Sequence, residues 1–177
     1  MSLQSGLHNS SSNFAADYHV SKEEINQYLT FFLDGEEYGV DILGVQEIRG
    51  WEKPTIIPNS PDYVKGVVNL RGTIVPIVDL RIRFSIESKP YGPLTVVIVL
   101  TVKDNEGRCK VVGIVVDAVS DVYDIETAKI KKPPEVDQQL GNEYISGLYN
   151  VDNKMIILLE INKLLSRATS IADFDKQ

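Results

Sequence analysis

Histidine and cysteine are nearly absent from the part of the chain that can fold. The two histidines, His8 and His19, lie near the N-terminus, and Cys109 is the single thiol. Zinc fingers, zinc hydrolases, cysteine-protease dyads and chymotrypsin-like triads each need a histidine in the folded body, so these classes are excluded. One cysteine cannot form an internal disulfide, and an unpaired thiol suits a reducing compartment. The first residues lack the basic start and continuous apolar stretch of a secretory signal, so a cytoplasmic protein is expected. Positive charge is scarce as well. The chain has 18 Lys and Arg against 25 Asp and Glu, a net charge of −7 without a basic cluster, which argues against nucleic acid as a partner. Long apolar runs are missing. The longest, Leu94 to Val102, is far short of the ~20 residues that cross a bilayer as a helix, so no membrane insertion is expected. Phosphate-loop, dinucleotide, nucleophile-elbow and His-Glu-x-x-His motifs are all lacking, so neither an enzyme nor a cofactor or metal is expected.

What remains in the 177 residues is enough apolar sequence, 43%, to close a core without covalent staples. Residues 1–26 read as a flexible tail rich in Ser and Asn, with a weak capping box at Ser21-Lys22-Glu23-Glu24 that would start a helical turn before Tyr28. From Tyr28 the period is that of strands. Runs at 28–33 and 38–40 flank Asp34-Gly35 as a hairpin, and 64–70 with 73–80 form a second. The stretches 94–102 and 111–116 form a third around Lys103 to Gly107, and 145–151 with 155–159 a fourth. Asp41 is a candidate N-cap for a short helical turn through Ile42 and Leu43, and Asn162 to Leu165 a short closing helix. Many short strands with few helical patterns predict an all-β protein, either barrels or a sandwich.

The chain also repeats itself. Tyr63, Gly66 and Asn69 recur as Tyr144, Gly147 and Asn150; 144 minus 63 and 150 minus 69 both give 81. At that offset Ile77-Val78-Asp79-Leu80 matches Leu158-Leu159-Glu160-Ile161, and Gly72 matches Asn153, two residue types that tolerate positive φ in a tight turn. Val45-Gln46-Glu47-Ile48 is echoed more loosely by Val119-Ser120-Asp121-Val122. Two copies of one β unit are expected, roughly 27–90 and 91–165, followed by a tail at 166–177. Each copy is small for an independent core, so the two should pack together and leave a seam where a partner can bind.

Three groups of residues are candidates for function. Asp117, Asp121, Asp124 and Glu126 crowd a short stretch, but solvated linker acids explain them more simply than acid–base catalysis or a cation site. The turn Asn69-Leu70-Arg71-Gly72 is more informative. Its backbone-setting residues recur in the second copy, whereas Arg71 is replaced there by Asp152, so Gly66, Asn69 and Gly72 read as structural and Arg71 as specific to one copy. A carboxylate such as Glu47 would hold the guanidinium as a fixed, planar contact. Val45, Ile48 and Leu70 are candidates for an adjoining apolar patch, with ordinary core packing as the competing reading.

The segments Glu36-Glu37-Tyr38-Gly39-Val40-Asp41-Ile42-Leu43, Val45-Gln46-Glu47-Ile48 and Gly66 to Arg81 with its Asn-Leu-Arg-Gly hairpin closely resemble the CheW family of bacterial chemotaxis coupling proteins. Val112 to Asp117 and Tyr144 to Leu148 agree with it too, and the resemblance spans about Gln27 to Leu165. It implies two intertwined, SH3-like, five-stranded β-barrels packed together with short helices. It also implies a non-enzymatic, cytoplasmic adaptor, recruited to membrane-associated arrays, that couples chemoreceptor (methyl-accepting chemotaxis protein) tips to the regulatory domain of the histidine kinase CheA. By motif position, Val45, Glu47, Ile48, Leu70 and Arg71 fall on the receptor-facing side, while no kinase-contact residue is assigned. The alternative reading is a small-barrel nucleic-acid binder, which the charge disfavours.

Overall fold

The structure, a computed structural model, describes residues 23–135 and 142–170. Ten strands form among them: β1 (Ile25–Leu33), β2 (Glu36–Asp41), β3 (Val45–Gly50), β4 (Val64–Leu70), β5 (Thr73–Asp79), β6 (Val96–Lys103), β7 (Cys109–Val116), β8 (Ala118–Glu126), β9 (Ile145–Val151) and β10 (Lys154–Leu159). Short helices α1 (Leu80–Arg83), α2 (Ile161–Leu164) and α3 (Ser166–Thr169) follow β5 and β10. The four expected hairpins are present. Asp41 does cap a 3₁₀ turn over Ile42–Gly44, its Oδ1 accepting from the Leu43 amide at 2.9 Å. None of the described helices is long and apolar enough to cross a membrane.

Two five-stranded sheets are formed, in the orders β8-β1-β2-β10-β9 and β3-β6-β7-β5-β4. The division near residue 90 therefore separates the sequence repeats and not the barrels. The first repeat gives β1 and β2 to one sheet and β3, β4 and β5 to the other, and the second does the converse. The register proves the equivalence. β5 runs parallel to β7 with Ile77 opposite Gly113, and β10 runs parallel to β2 with Leu158 opposite Gly39, so positions 39 and 113 correspond as 77 and 158 do. Sequence similarity identified the two copies but carries no information about which copy a hairpin pairs with.

Alternation along the strands distributes the apolar side chains over three layers. In β6, Ile98, Leu100 and Val102 face a core between the sheets, while Val97 and Val99 face the interior of their own barrel. The layer between the sheets takes Leu29, Phe31, Leu33 and Val40 from one sheet and Val78, Ile114 and Val116 from the other. The two barrel interiors are smaller, built on Val75, Ile77 and Val115 and on Ile125, Ile156 and Leu158. The expectation that neither copy closes a sufficient core alone is met by this shared middle layer.

Each barrel covers one outer edge with the segment that precedes it. Thr55 exchanges backbone hydrogen bonds with Val67 at 2.9 and 2.8 Å, and Lys131 does so with Leu148 at 2.8 Å both ways. The repeated glycines lie under these crossings. Gly66 has φ of +137°, and a Cβ there would run into the Thr55 carbonyl; at Gly147 it would meet the Ile130 side chain. Pairing the edges in this way removes a template for aggregation.

Four readings need correction. Residues 24–28 carry no helix, because β1 already starts at Ile25; Ser21 and Lys22 lie outside the described residues, as does the tail to residue 22. The acidic stretch 118–126 is a strand, β8, pairing with β1 about a hundred residues away in sequence (Ile25 opposite Glu126). Asp121 and Asp124 are exposed, as expected of solvated acids, but the other acids of the stretch 117–126 have fixed partners. Arg81, almost wholly buried, grips Asp117 through both carboxylate oxygens, with Nε to Oδ1 at 2.6 Å, while Asp124 accepts from Gln27 and Glu126 pairs with Lys129. Finally, 166–177 does not begin as a tail, since Ala168 and Thr169 of α3 are buried.

Candidate functional site

The turn between β4 and β5 has Arg71 and Gly72 at φ of +51° and +85°, and its counterpart between β9 and β10 has Asp152 and Asn153 at +45° and +65°. Two successive left-handed residues match the right-handed twist of a two-residue hairpin, which is why Gly and Asn stand at the second position of the two turns. The Asn69 side chain supports its turn by accepting from the Gly72 amide at 2.8 Å. Arg71 is the costlier occupant of such a backbone, and it projects into solvent with 75% of its side chain exposed. Its Nη2 donates to Glu47 Oε1 at 3.1 Å, so the expected carboxylate partner is in place. Glu47 is three-quarters covered and also faces Arg49 at 3.8 Å, which in turn reaches Glu52 at 3.9 Å. A charged fork is thereby held at the hairpin tip by an anchored acid.

Beside it, β3 carries a bulge that decides which side chains share a face. Val45 lies opposite Leu100, Glu47 opposite Val99 and Ile48 opposite Ile98, with the register slipping between Val45 and Glu47. Residues paired directly across strands point the same way. Val45 and Ile48, three apart, therefore both face the seam between the sheets with Leu100 and Ile98, and Glu47 faces away from it. Val45 packs on the shared core, whereas Ile48 is 46% exposed. Leu70 is buried in the barrel interior with Val75 and Ile77, so it supports the Arg71 turn from beneath. Of the five predicted residues, Glu47, Ile48 and Arg71 offer surface and Val45 and Leu70 are mainly packing.

The second copy adds residues that the sequence reading left out. β8 has the same irregularity opposite β1, with Val119 paired to Phe31 and Val122 to Leu29, both of which line the shared core. Val119 and Val122 are thus the counterparts of Val45 and Ile48 on the other edge strand, and Val122 is 41% exposed. The signal was the loose echo of Val45 to Ile48 at 119–122. Trp51 is half-buried against Tyr91, ring centroids 3.9 Å apart, and offers no free stacking platform.

Comparison with known proteins agrees with this architecture. The model of the CheW-like domain matches residues 27–169. The chain is 51% identical over 140 residues to the chemotaxis protein CheW of Klebsiella aerogenes, covering 79% of this chain and 81% of that one. It is 39% identical over 148 residues to a probable chemotaxis protein CheW of Rhizobium etli, covering 82% and 91%. The crystal structure of the scaffolding protein TtCheW from Thermoanaerobacter tengcongensis superposes with a TM-score of 0.71 at 30% identity, covering 84% of this chain and 92% of that one. With its nested five-stranded sheets, its repeated hairpins and the matched stretch 27–169, the chain belongs to the CheW-like family.

Proposed function

We propose that the chain is a non-enzymatic chemotaxis adaptor that joins chemoreceptor cytoplasmic tips to the regulatory domain of CheA, working in the cytoplasm at receptor arrays. The observation that carries this reading is the Arg71–Glu47 pair, an exposed guanidinium held at 3.1 Å on a turn whose counterpart bears an acid. Family membership and the naming of TtCheW as a scaffolding protein support it. Ile48 and Val122 supply apolar surface along the seam, with Val45 and Val119 packed behind them, and Arg71 with Glu47 supplies the polar element that fixes a helical receptor tip in register. The buried Leu70 holds the turn. Signalling through such a scaffold requires only that the joined geometry favour one kinase state over another.

The test is a titration of a receptor cytoplasmic fragment with the parent, Arg71→Ala and Asp152→Ala. Removing a fixed charge-assisted contact at the centre of an interface commonly costs ~2 kcal/mol, so Arg71→Ala should bind more than about tenfold more weakly, and Asp152→Ala like the parent. Equal affinities for all three would end the assignment of Arg71. Co-sedimentation of receptor membranes, kinase and this chain, read as kinase activity, tests the adaptor role itself. Activation in the absence of the chain would refute it.

A further inference from the structure

The two repeats place equivalent clefts beside the acid that ends β5 and the acid that follows β10, and among the described residues only one of the clefts is filled. Asp79 and Glu160 correspond, each donating its amide to the carbonyl of a repeated tyrosine, Tyr63 or Tyr144, at 2.7 Å. By the register given above, Arg81 corresponds to Asn162, Val115 to Asp41 and Asp117 to Leu43. In the first cleft the chain's own segment between α1 and β6 lies over these residues. Tyr91 donates its hydroxyl to Asp79 Oδ2 at 2.7 Å and stacks on Trp51, Arg81 engages Asp117, and a hollow of about 20 Å³ remains.

The second cleft is open, with a volume of about 560 Å³. Leu43 stands 90% exposed in the place that Asp117 takes in the other copy, beside Tyr28, Leu159 and Ile161. Glu160 makes no cap to α2, and its carboxylate has no hydrogen-bond or ion-pair partner among the described residues. Asp41 lies nearby, and burial together with the two acids pushes the Tyr28 phenol up from its ordinary range. The cleft thus joins apolar side chains, Leu43, Leu159 and Ile161, to an acceptor, Glu160, with Lys103 also in its lining. It is separate from the Arg71 turn.

From the filled copy we infer the occupant of the open one: the cleft of Leu43 and Glu160 binds an extended segment of a partner protein, its tyrosine ring on Leu43 and its hydroxyl donating to Glu160. The hydrogen bond is the one Tyr91 makes to Asp79, but its surroundings differ: Asn162, Asp41 and Leu43 stand where Arg81, Val115 and Asp117 do, and Leu43 takes over from Trp51 as the surface for the ring. Because Leu43 replaces the carboxylate that Arg81 neutralises, the partner must bring an apolar surface and not a second cation to that position.

The probe is a fluorescent peptide of residues 87–95, Glu-Ser-Lys-Pro-Tyr-Gly-Pro-Leu-Thr, and its Tyr→Phe form. Exposed Cys109 lines the open cleft and supplies a local reporter through its rate of reaction with a thiol reagent. The full chain should bind the tyrosine peptide and be protected at Cys109. Glu160→Gln should weaken that peptide about fivefold and leave the Phe peptide unchanged, the signature of a direct pair. Leu43→Ser should weaken both, with melting temperatures as the folding control. Undiminished binding in Glu160→Gln and Leu43→Ser would mean that the peptide displaces the chain's own segment from the first cleft, and would overturn the inference. So would a Cys109 that reacts far more slowly in the free native chain than after denaturation, since another part of this chain would then occupy the cleft.

Discussion

The hairpin tips at Arg71 and Asp152 share a backbone and differ in what they present. Both use two left-handed residues, both follow an asparagine, and both sit on a strand with a glycine under the covering segment. One tip then carries a guanidinium gripped by Glu47, and the other carries an aspartate. The two copies thereby act as each other's control. Features common to both report what the fold needs, and features present in one report what has been added to it. The same logic separates Arg81, which ties Asp117 and the Asp34 turn together, from its counterpart Asn162, which accepts only the Lys103 amide at 2.8 Å.

The sharpest way to break this comparison is at the paired glycines. Gly66→Ala combines a positive φ with a clash against backbone, so we expect a loss of about 4 kcal/mol or failure to fold. Gly147→Ala meets chiefly the Ile130 side chain, which can turn aside, with the Lys131 carbonyl oxygen 3.2 Å away, and should cost less, ~1–2 kcal/mol. Urea denaturation measures both, and equal costs would mean that the covering segments are equally rigid. Next in size is Arg81→Met. It strands Asp117 and should cost about 3 kcal/mol, whereas Asn162→Ala loses one exposed hydrogen bond and should cost ~1 kcal/mol or less.

A pH series sharpens the Arg81 result. Burial pushes the Asp117 carboxyl up, but the Arg81 guanidinium and the Asp34 amide outweigh it and leave the acid below its ordinary 3.8. The folded state then favours the charged form more than the unfolded state does. The stability from this group is complete above the ordinary aspartate range and is lost as pH falls through the lower folded value. Asp117→Asn should therefore show a flatter stability profile than the parent as pH falls below the ordinary aspartate value, although it is less stable at neutral pH. A parallel decline in both proteins would remove Asp117 from the account. The smallest expected effect is on folding at the tips. Arg71→Ala and Asp152→Ala should each change stability by no more than about 0.5 kcal/mol, and a larger loss for Arg71→Ala alone would recast the arginine as a structural clamp.

Hairpins and tips were legible in the sequence because their signals are local. Alternation, turn residues and the repeated Asn-x-x-Gly or Asn lie within a dozen positions of one another. Arg71 stood out for the same reason, as a mismatch inside a repeat. Distant pairings were less visible. β8 looked like a linker because an edge strand is only partly covered, and Ser120, Asp121 and Asp124 are exposed. The Arg81–Asp117 pair joins residues 36 apart from different elements, and nothing near either residue marks the other. The burial of Leu70 depended on which face of β4 turned inward, and the bulge in β3 placed Val45 and Ile48 on one face against simple alternation.

The exchange of strands between repeats also governs how the chain is born. β1 and β2 emerge from the ribosome with no sheet to join, since their neighbours β8 and β10 begin at residues 118 and 154. At 5–20 residues per second, the first hairpin waits on the order of 4–15 s for β8 alone, with both edges unpaired. A lone hairpin is barely stable in water, so this interval calls for protection by chaperones or by transient non-native contacts. Once complete, neither repeat can leave without opening both sheets, and the chain has the form of two swapped subunits fused end to end. Duplication of a gene for a self-pairing half-size ancestor would produce this arrangement in one step, and would leave each copy free to diverge at its tip.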